Sequence, residues 1–351
     1  MNRRRFLGSA AAAAALAACE PLAGSTPSPS ASAARVDRLI ASMSIAERAG
    51  QLMSVAFHGT AITPALEAMI RQRKIGGVIL YSENFTDAAS VKRLAADLQR
   101  IASDAKTLPL FLSIDQEGGA VVRIASGATV LPGNMALAAT PDPTDSVRRS
   151  VAITARDLRA LGVNFELAPD ADVNNEPRNP IILNRSFGSD PQRVAALVTV
   201  ATTAFADAKL LACAKHFPGH GATTTDSHTG LPEIDTDRAR LDRVELVPFN
   251  AAIAAGAPAI MSAHIVVPAL DPTPSLPVTL SKRVMSDLLR GELGFQGLVV
   301  SDDLEMGALA TIGEAKAGLM AFLAGVDHLL FRFDESAQLE GHRLILEAAR
   351  T

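Results

Sequence analysis

The sequence predicts a single-domain (β/α)8 barrel, and three observations carry that expectation. Eight short apolar runs recur over residues 36–351, most of them separated by stretches with helical periodicity. Titratable residues stand just after these runs, where a barrel of parallel strands gathers its chemistry. No glycine-rich phosphate loop follows the first run, which disfavours the doubly wound open sheet that the same alternation allows.

In chain order, Arg3-Arg4-Arg5-Phe6-Leu7 opens a basic and then Ala-rich segment that ends at Ala18. It is too short to span a bilayer and reads as a signal peptide over residues 1–18 with a twin-arginine-like start. Leu16-Ala17-Ala18-Cys19 resembles a bacterial lipobox, which makes Cys19 the expected lipidation site; the alternative is an ordinary secretory signal with a chance cysteine. Residues 19–35, rich in Ser, Pro, Ala and Gly, read as a flexible tether. The expectation is an exported lipoprotein of a bacterial envelope, held to the membrane by its lipid alone.

Residues 36–351 form the expected catalytic domain. Asp37–Met43 reads as helix, and Ser44-Ile45-Ala46-Glu47 is a capping box that starts the next one. The apolar runs are Leu52–Phe57, Ile75–Tyr81, Leu108–Ile114, Val163–Leu167, Leu210–Ala214, Pro258–Ala263, Gly297–Val300 and Val326–Phe331. Helical stretches between them include Asp87–Ser103, Pro191–Ala208, Arg238–Ala255 and Lys282–Glu292. Neither a second domain nor an internal repeat is expected.

Composition narrows the function. With 351 residues, 48% of them hydrophobic, the chain can build a sizeable core. A net charge of −4 gives no reason to expect a nucleic-acid partner. The absence of Trp and a single Tyr, Tyr81, argue for a small ligand rather than base stacking or a long sugar groove. Two Cys exclude a disulfide framework, and Cys213 sits in an apolar run as a core residue. A monomer is expected.

The densest polar cluster is Lys215-His216-Phe217-Pro218-Gly219-His220-Gly221, continued by Asp226-Ser227-His228. It leaves the fifth apolar run and breaks on Pro and Gly, the punctuation of an ordered loop. Asp115, Arg123, Asp172, Arg185, His264 and Asp302-Asp303 follow other runs. Three chemistries could use this set. Glycoside cleavage with retention needs a carboxylate nucleophile, for which Asp302 is placed, and a proton donor. His228 can be that donor if Asp226 orients its ring, as a carboxylate does in a triad. Metal-assisted hydrolysis could use His216, His220, His264 and Asp302 as ligands, but no His-Glu-x-x-His pattern is present. A non-catalytic sugar-binding lipoprotein would need the hydroxyl-binding groups but neither the Asp226–His228 pair nor Asp302.

At these residues the chain resembles glycoside hydrolase family 3, specifically its single-domain, NagZ-like β-N-acetylhexosaminidases. The matching motifs run over nearly all of 36–351. They include Asp115-Gln116-Glu117-Gly118-Gly119 with Arg123, Asn184-Arg185-Ser186-Phe187-Gly188, the Lys215–Gly221 loop with Asp226-Ser227-His228, and Ser301-Asp302-Asp303-Leu304. The resemblance implies Asp302 as nucleophile, His228 as acid/base and Asp226 as its partner. It also implies that Asp115, Arg123, Arg185, Lys215 and His216 hold the hydroxyls of a terminal N-acetylglucosamine. Asp303 is then a supporting residue, His264 a support behind the pocket, His220 a shaper of the loop, and Asp172 either part of the pocket floor or a support just outside it. Neither metal nor organic cofactor is implied.

The expected activity is that of a retaining exo-β-N-acetylglucosaminidase acting on peptidoglycan-derived fragments. A β-glucosidase, a β-xylosidase or a phosphorolytic variant is the alternative within the family. Ala120 and Ala222 stand where many relatives carry Arg and Asp, which predicts altered loop packing rather than lost activity. The acid/base is expected on the loop itself, not on the second domain that supplies it in many β-glucosidase relatives.

Overall fold

The eight apolar runs give eight parallel strands that pair in barrel order. The computed structural model describes residues 29–351. The strands are β1 (Met53–Val55), β2 (Gly77–Ile79), β3 (Phe111–Ile114), β4 (Phe165–Glu166), β5 (Leu211–Phe217), β6 (Ala259–Ser262), β7 (Leu298–Val300) and β8 (Leu329–Phe331). β8 pairs with β1 in parallel register, Leu330 opposite Ser54. The ring comes round on itself through one parallel bridge between Val300 and His328, beside which the Ser301 amide donates to the His328 carbonyl at 2.9 Å.

Strand alternation sorts the apolar side chains into two layers. Ile79, Phe111, Phe165, Leu167, Cys213, Met261, Val300 and Leu330 belong to the cluster that fills the barrel. Their strand neighbours Val78, Leu112, Ile260, Val299 and Leu329 pack in the larger shell under the helices. Cys213 is fully buried inside the barrel, as its apolar surroundings predict.

The helices start where short polar residues can satisfy their first amides. Ala88–Asp104, Pro143–Ala160 and Pro191–Asp207 begin on Asp87, Asp142 and Asp190, whose carboxylates accept backbone hydrogens from the first turn. The Ser44–Glu47 capping box closes in both directions, at 3.2 Å and 2.8 Å.

Two expectations need correction, and one element is new. The tether does not run unstructured to residue 35, because a helix spans Pro29–Ser42. Proline suits a helix's first turn, the Ala-rich stretch favours helix, and Val36 is buried. The helix expected over Arg238–Ala255 is two, Arg238–Arg243 and Val247–Ala254, because Pro248 lies in the first turn of the second and lacks the amide to continue a preceding helix. A short antiparallel hairpin, Gln116–Gly118 with Val121–Val122, follows β3, an element that none of the apolar runs marks. The signal segment, Cys19 and the tether up to residue 28 lie outside the described residues. Among the described residues, no helix is long and apolar enough to cross a membrane.

Candidate active site

The C-terminal ends of β3 and β5 and the segment after β4 bring Asp115, Arg123, Lys215, Arg185, His216 and Asp172 into one network. Asp115 leaves β3, and the hairpin then doubles back. The Gln116 side-chain oxygen accepts the amides of Arg123 and Ile124 at 3.0 and 2.9 Å. That fold-back delivers the Arg123 guanidinium to Asp115 Oδ2 at 3.2 Å. Lys215, at the end of β5, places its Nζ 2.6 Å from Asp115 Oδ1 and 2.7 Å from Glu117 Oε1.

Glu117 is the hub that sequence reasoning missed. Its side chain is 1% exposed and takes two hydrogen bonds from Arg185, Nη2 to Oε1 at 2.8 Å and Nε to Oε2 at 3.0 Å. Burial opposes its charge, but Arg185 and Lys215 more than compensate and hold it far below the usual carboxylate range. Asp115 is lowered in the same way by Lys215 and Arg123 against its burial. Lys215 and Arg185 are raised in turn: burial works against their charges, and the carboxylates prevail. The signal for Glu117 was present in the Asp115–Gly119 motif, but its partners come from the end of β5 and from the segment after β4.

Arg185 also donates from Nη2 to His216 Nε2 at 3.2 Å. A guanidinium has no acceptor, so this bond assigns the His216 proton to Nδ1, which donates to Asp172 Oδ2 at 2.7 Å. The other oxygen of Asp172 accepts the His220 amide at 2.5 Å. Asp172 is fully buried and serves two histidines at once. Asp170, also missed, lies beneath it. Burial and the charge of Asp172 push its carboxyl well above the usual range, and its Oδ2 has no hydrogen-bond partner.

Asp302 stands two residues beyond β7 and accepts the Asp303 amide on Oδ1 at 2.8 Å. Burial pushes its carboxyl up, yet the His216 and His264 rings and the Asp303 amide outweigh this and keep it below the ordinary aspartate value. Asp303 differs. Burial raises it to about 6, the Tyr81 hydroxyl donates to its Oδ2 at 3.4 Å, and Arg332 Nε lies 3.3 Å from the same oxygen. His264 is buried behind the pair, with Nδ1 2.9 Å from the Thr279 hydroxyl and Nε2 3.0 Å from the Asp303 carbonyl oxygen.

The loop after β5 folds back on itself. A Cβ on Gly219, at φ 129°, would meet Glu245 at 2.9 Å, and one on Gly221 would lie 1.9 Å from the Val173 carbonyl oxygen. Beyond these turns, His228 Nδ1 sits 2.8 Å from Asp226 Oδ1. The backbone here joins the segment after Asp302, because the Gly307 amide donates to the His228 carbonyl at 3.1 Å and the Ala308 amide to the Ser227 carbonyl at 3.0 Å. The side chains of His228 and Asp226 remain open to solvent, 52% and 31% exposed.

The four ligands imagined for a metal are not gathered as a donor set. His220 and His264 commit both ring nitrogens to protein hydrogen bonds. The group whose ligating atoms lie within 4.8 Å of one another is Asp170, Asp172 and His216, where Asp172 already serves His216 and His220. Of the unassigned histidines, His328 and His342 are buried, and His58 is exposed and stacks on Phe333 at 4.2 Å.

Comparison with known proteins places these features in a context. The model of the glycosyl hydrolase family 3 N-terminal domain matches residues 44–349. Beta-hexosaminidase A of Pseudoalteromonas piscicida is 42% identical over 283 residues, covering 76% of this chain and 47% of its own. A beta-hexosaminidase of Pseudomonas aeruginosa strain PAO1 is 34% identical over 266 residues, covering 76% of this chain and 77% of its own. Among solved structures, a glycoside hydrolase family 3 beta-N-acetylglucosaminidase from Paenibacillus sp. FPU-7 superposes with a TM-score of 0.85 at 42% identity, over 88% of this chain and 58% of that one. NagZ from Neisseria gonorrhoeae gives 0.72 at 28% identity, over 85% of this chain and 84% of that one. The chain thus spans about half the length of the first of these relatives and most of the length of others.

Proposed function

The chain belongs to glycosyl hydrolase family 3, and from that premise we propose that it is a retaining exo-β-N-acetylglucosaminidase. The observation that carries the proposal is the union of two devices on one barrel face. A carboxylate kept ionised, Asp302, stands in a pocket of fixed charges, and the hydrogen-bonded Asp226–His228 pair lies on a loop tied to residues 307–308 just beyond it.

The residues divide the work as follows. Asp115, Arg123, Arg185, Lys215 and His216 hold the hydroxyls of a terminal N-acetylglucosamine. Asp302 attacks the anomeric carbon and forms a glycosyl ester while His228 gives its Nε2 proton to the departing oxygen. His228 then takes a proton from water, which attacks the anomeric carbon and frees Asp302. Asp226 keeps the other ring proton on Nδ1 and so fixes which nitrogen exchanges. Nothing in this sequence of steps calls for a metal or organic cofactor.

The proposed substrates are peptidoglycan-derived fragments, and the proposed state is a monomeric, exported lipoprotein acylated on Cys19. The names of beta-hexosaminidase and beta-N-acetylglucosaminidase relatives support the sugar assignment. A panel of aryl β-glycosides tests it: the N-acetylglucosaminide should be cleaved far faster than the glucoside or xyloside, and the reverse order overturns the sugar. Product analysis in phosphate buffer separates free N-acetylglucosamine from its 1-phosphate. Full activity after exhaustive chelation removes the metal reading. Membrane fractionation of Cys19→Ala tests the anchor: release of the protein supports it, and retention refutes it.

A further inference from the structure

We propose that His220 is a positioning residue that latches the acid/base loop by accepting a hydrogen bond from Ser227, the residue between Asp226 and His228. This rests on the reading of His228 as acid/base and names what holds it in place.

The hydrogen-bond pattern fixes the direction of the latch. Thr223 Oγ1 donates to the His220 carbonyl at 3.0 Å, so its single hydrogen is used. It can then only accept from His220 Nδ1, 2.8 Å away, and the ring proton is therefore on Nδ1. Asn179 braces the same corner, donating to the His220 carbonyl at 2.9 Å and to Thr223 Oγ1 at 3.3 Å. The remaining ring nitrogen, Nε2, is an acceptor and lies 3.0 Å from Ser227 Oγ. His220 and Ser227 are each 2% exposed, so water does not compete for this bond. Burial lowers the His220 pKa to about 4, so the ring stays neutral, as an acceptor must, at pH values well above that.

The latch acts at a junction. The Ser227 carbonyl takes the Ala308 amide and the His228 carbonyl takes the Gly307 amide, so the loop backbone is pinned from the Asp302 side. The His220 bond pins it from the β5 side. At the other end, Asp172 holds the His220 amide with one oxygen and the His216 ring with the other. One buried carboxylate thereby sets the sugar-gripping His216 and the base of the acid/base loop in a common frame. His220 touches neither of the reacting groups, and its effect passes through Ser227.

Ser227→Ala removes the latch with the smallest change of volume. A misplaced acid penalises leaving groups that need protonation, so kcat/KM should fall about 10- to 100-fold on a di-N-acetylchitobiose substrate. The loss on a 2,4-dinitrophenyl β-N-acetylglucosaminide should stay within about 3-fold, because that leaving group departs with little protonation. Ser227→Thr, which keeps the hydroxyl, should restore the disaccharide activity. His220→Gln combined with Ser227→Ala should be no slower on the disaccharide than His220→Gln alone, since both break one contact.

Equal losses on both substrates, no loss at all, or losses that multiply in the double variant would each overturn the latch. His228→Ala measured in parallel separates this failure from a deeper one. If His228→Ala discriminates leaving groups and Ser227→Ala does not, only the latch falls. If His228→Ala does not discriminate either, the acid/base assignment falls with it.

Discussion

One carboxylate oxygen of Asp226 holds His228 twice, taking its ring Nδ1–H at 2.8 Å and its backbone amide at 2.9 Å. Partial burial works to raise the Asp226 carboxyl, but these two bonds from His228 outweigh it and keep it ionised below the usual range. A spacing of two residues in a loop is enough to build such a clamp. It turns an exposed histidine into one whose ring is oriented and whose free nitrogen is specified.

That clamp makes a leaving-group prediction. His228→Ala should lower kcat/KM on the disaccharide by about 10²- to 10⁴-fold, the usual contribution of a general acid, and on the dinitrophenyl substrate by far less. Asp226→Asn should reproduce the pattern in weaker form. Uniform losses across leaving groups, measured in a series of aryl substrates, would contradict the acid role.

Glu117 carries a combined stability and binding prediction. It is the shared counter-ion of Lys215 and Arg185, and its side chain is buried. Removing one partner of a buried ionic cluster leaves uncompensated charge, a loss of about 3–5 kcal/mol. Glu117→Gln should therefore lower the denaturation midpoint in urea and raise KM, because the two cations lose their common anchor. An unchanged midpoint with unchanged KM would show that Lys215 and Arg185 hold their places without it.

His328 predicts the acid limb of stability. It is fully buried at the bridge that closes the barrel, its Nε2 has no hydrogen-bond partner, and burial lowers its pKa to about 4. The unfolded chain takes up this proton near the ordinary histidine value, about 6.5, before the folded one can. Stability is therefore lost as pH falls from about 6.5 to about 4, and it levels off below. His328→Leu should flatten this limb in a series of thermal melts across that range. Parallel curves for parent and variant would rule out His328 as a source.

The barrel was legible because each strand is a short apolar run with punctuation at both ends, and each polar cluster stands just past one of them. Asp302, His228 and the residues of the charged network stand in motifs that the sequence displays, and a spacing of two permits the Asp226–His228 contact that the fold then makes. Other features depend on partners that only folding supplies. Glu117 reads as one acid among many until Lys215 from the end of β5 and Arg185 from the segment after β4 meet on it. Asp170 gives no signal because its bond to the Asp172 amide and its burial arise only in the fold. The break before Pro248 and the hairpin after Asp115 are too short to show a period.

The most direct test of the account is to trap the covalent intermediate. A fluorinated N-acetylglucosaminyl fluoride that forms the glycosyl-enzyme quickly and releases it slowly is incubated with the enzyme, and the labelled peptide is sequenced by mass spectrometry. The account predicts one sugar on Asp302, and no label in Asp302→Ala. A label on Asp303, or turnover with no trapped sugar on any carboxylate, would contradict it.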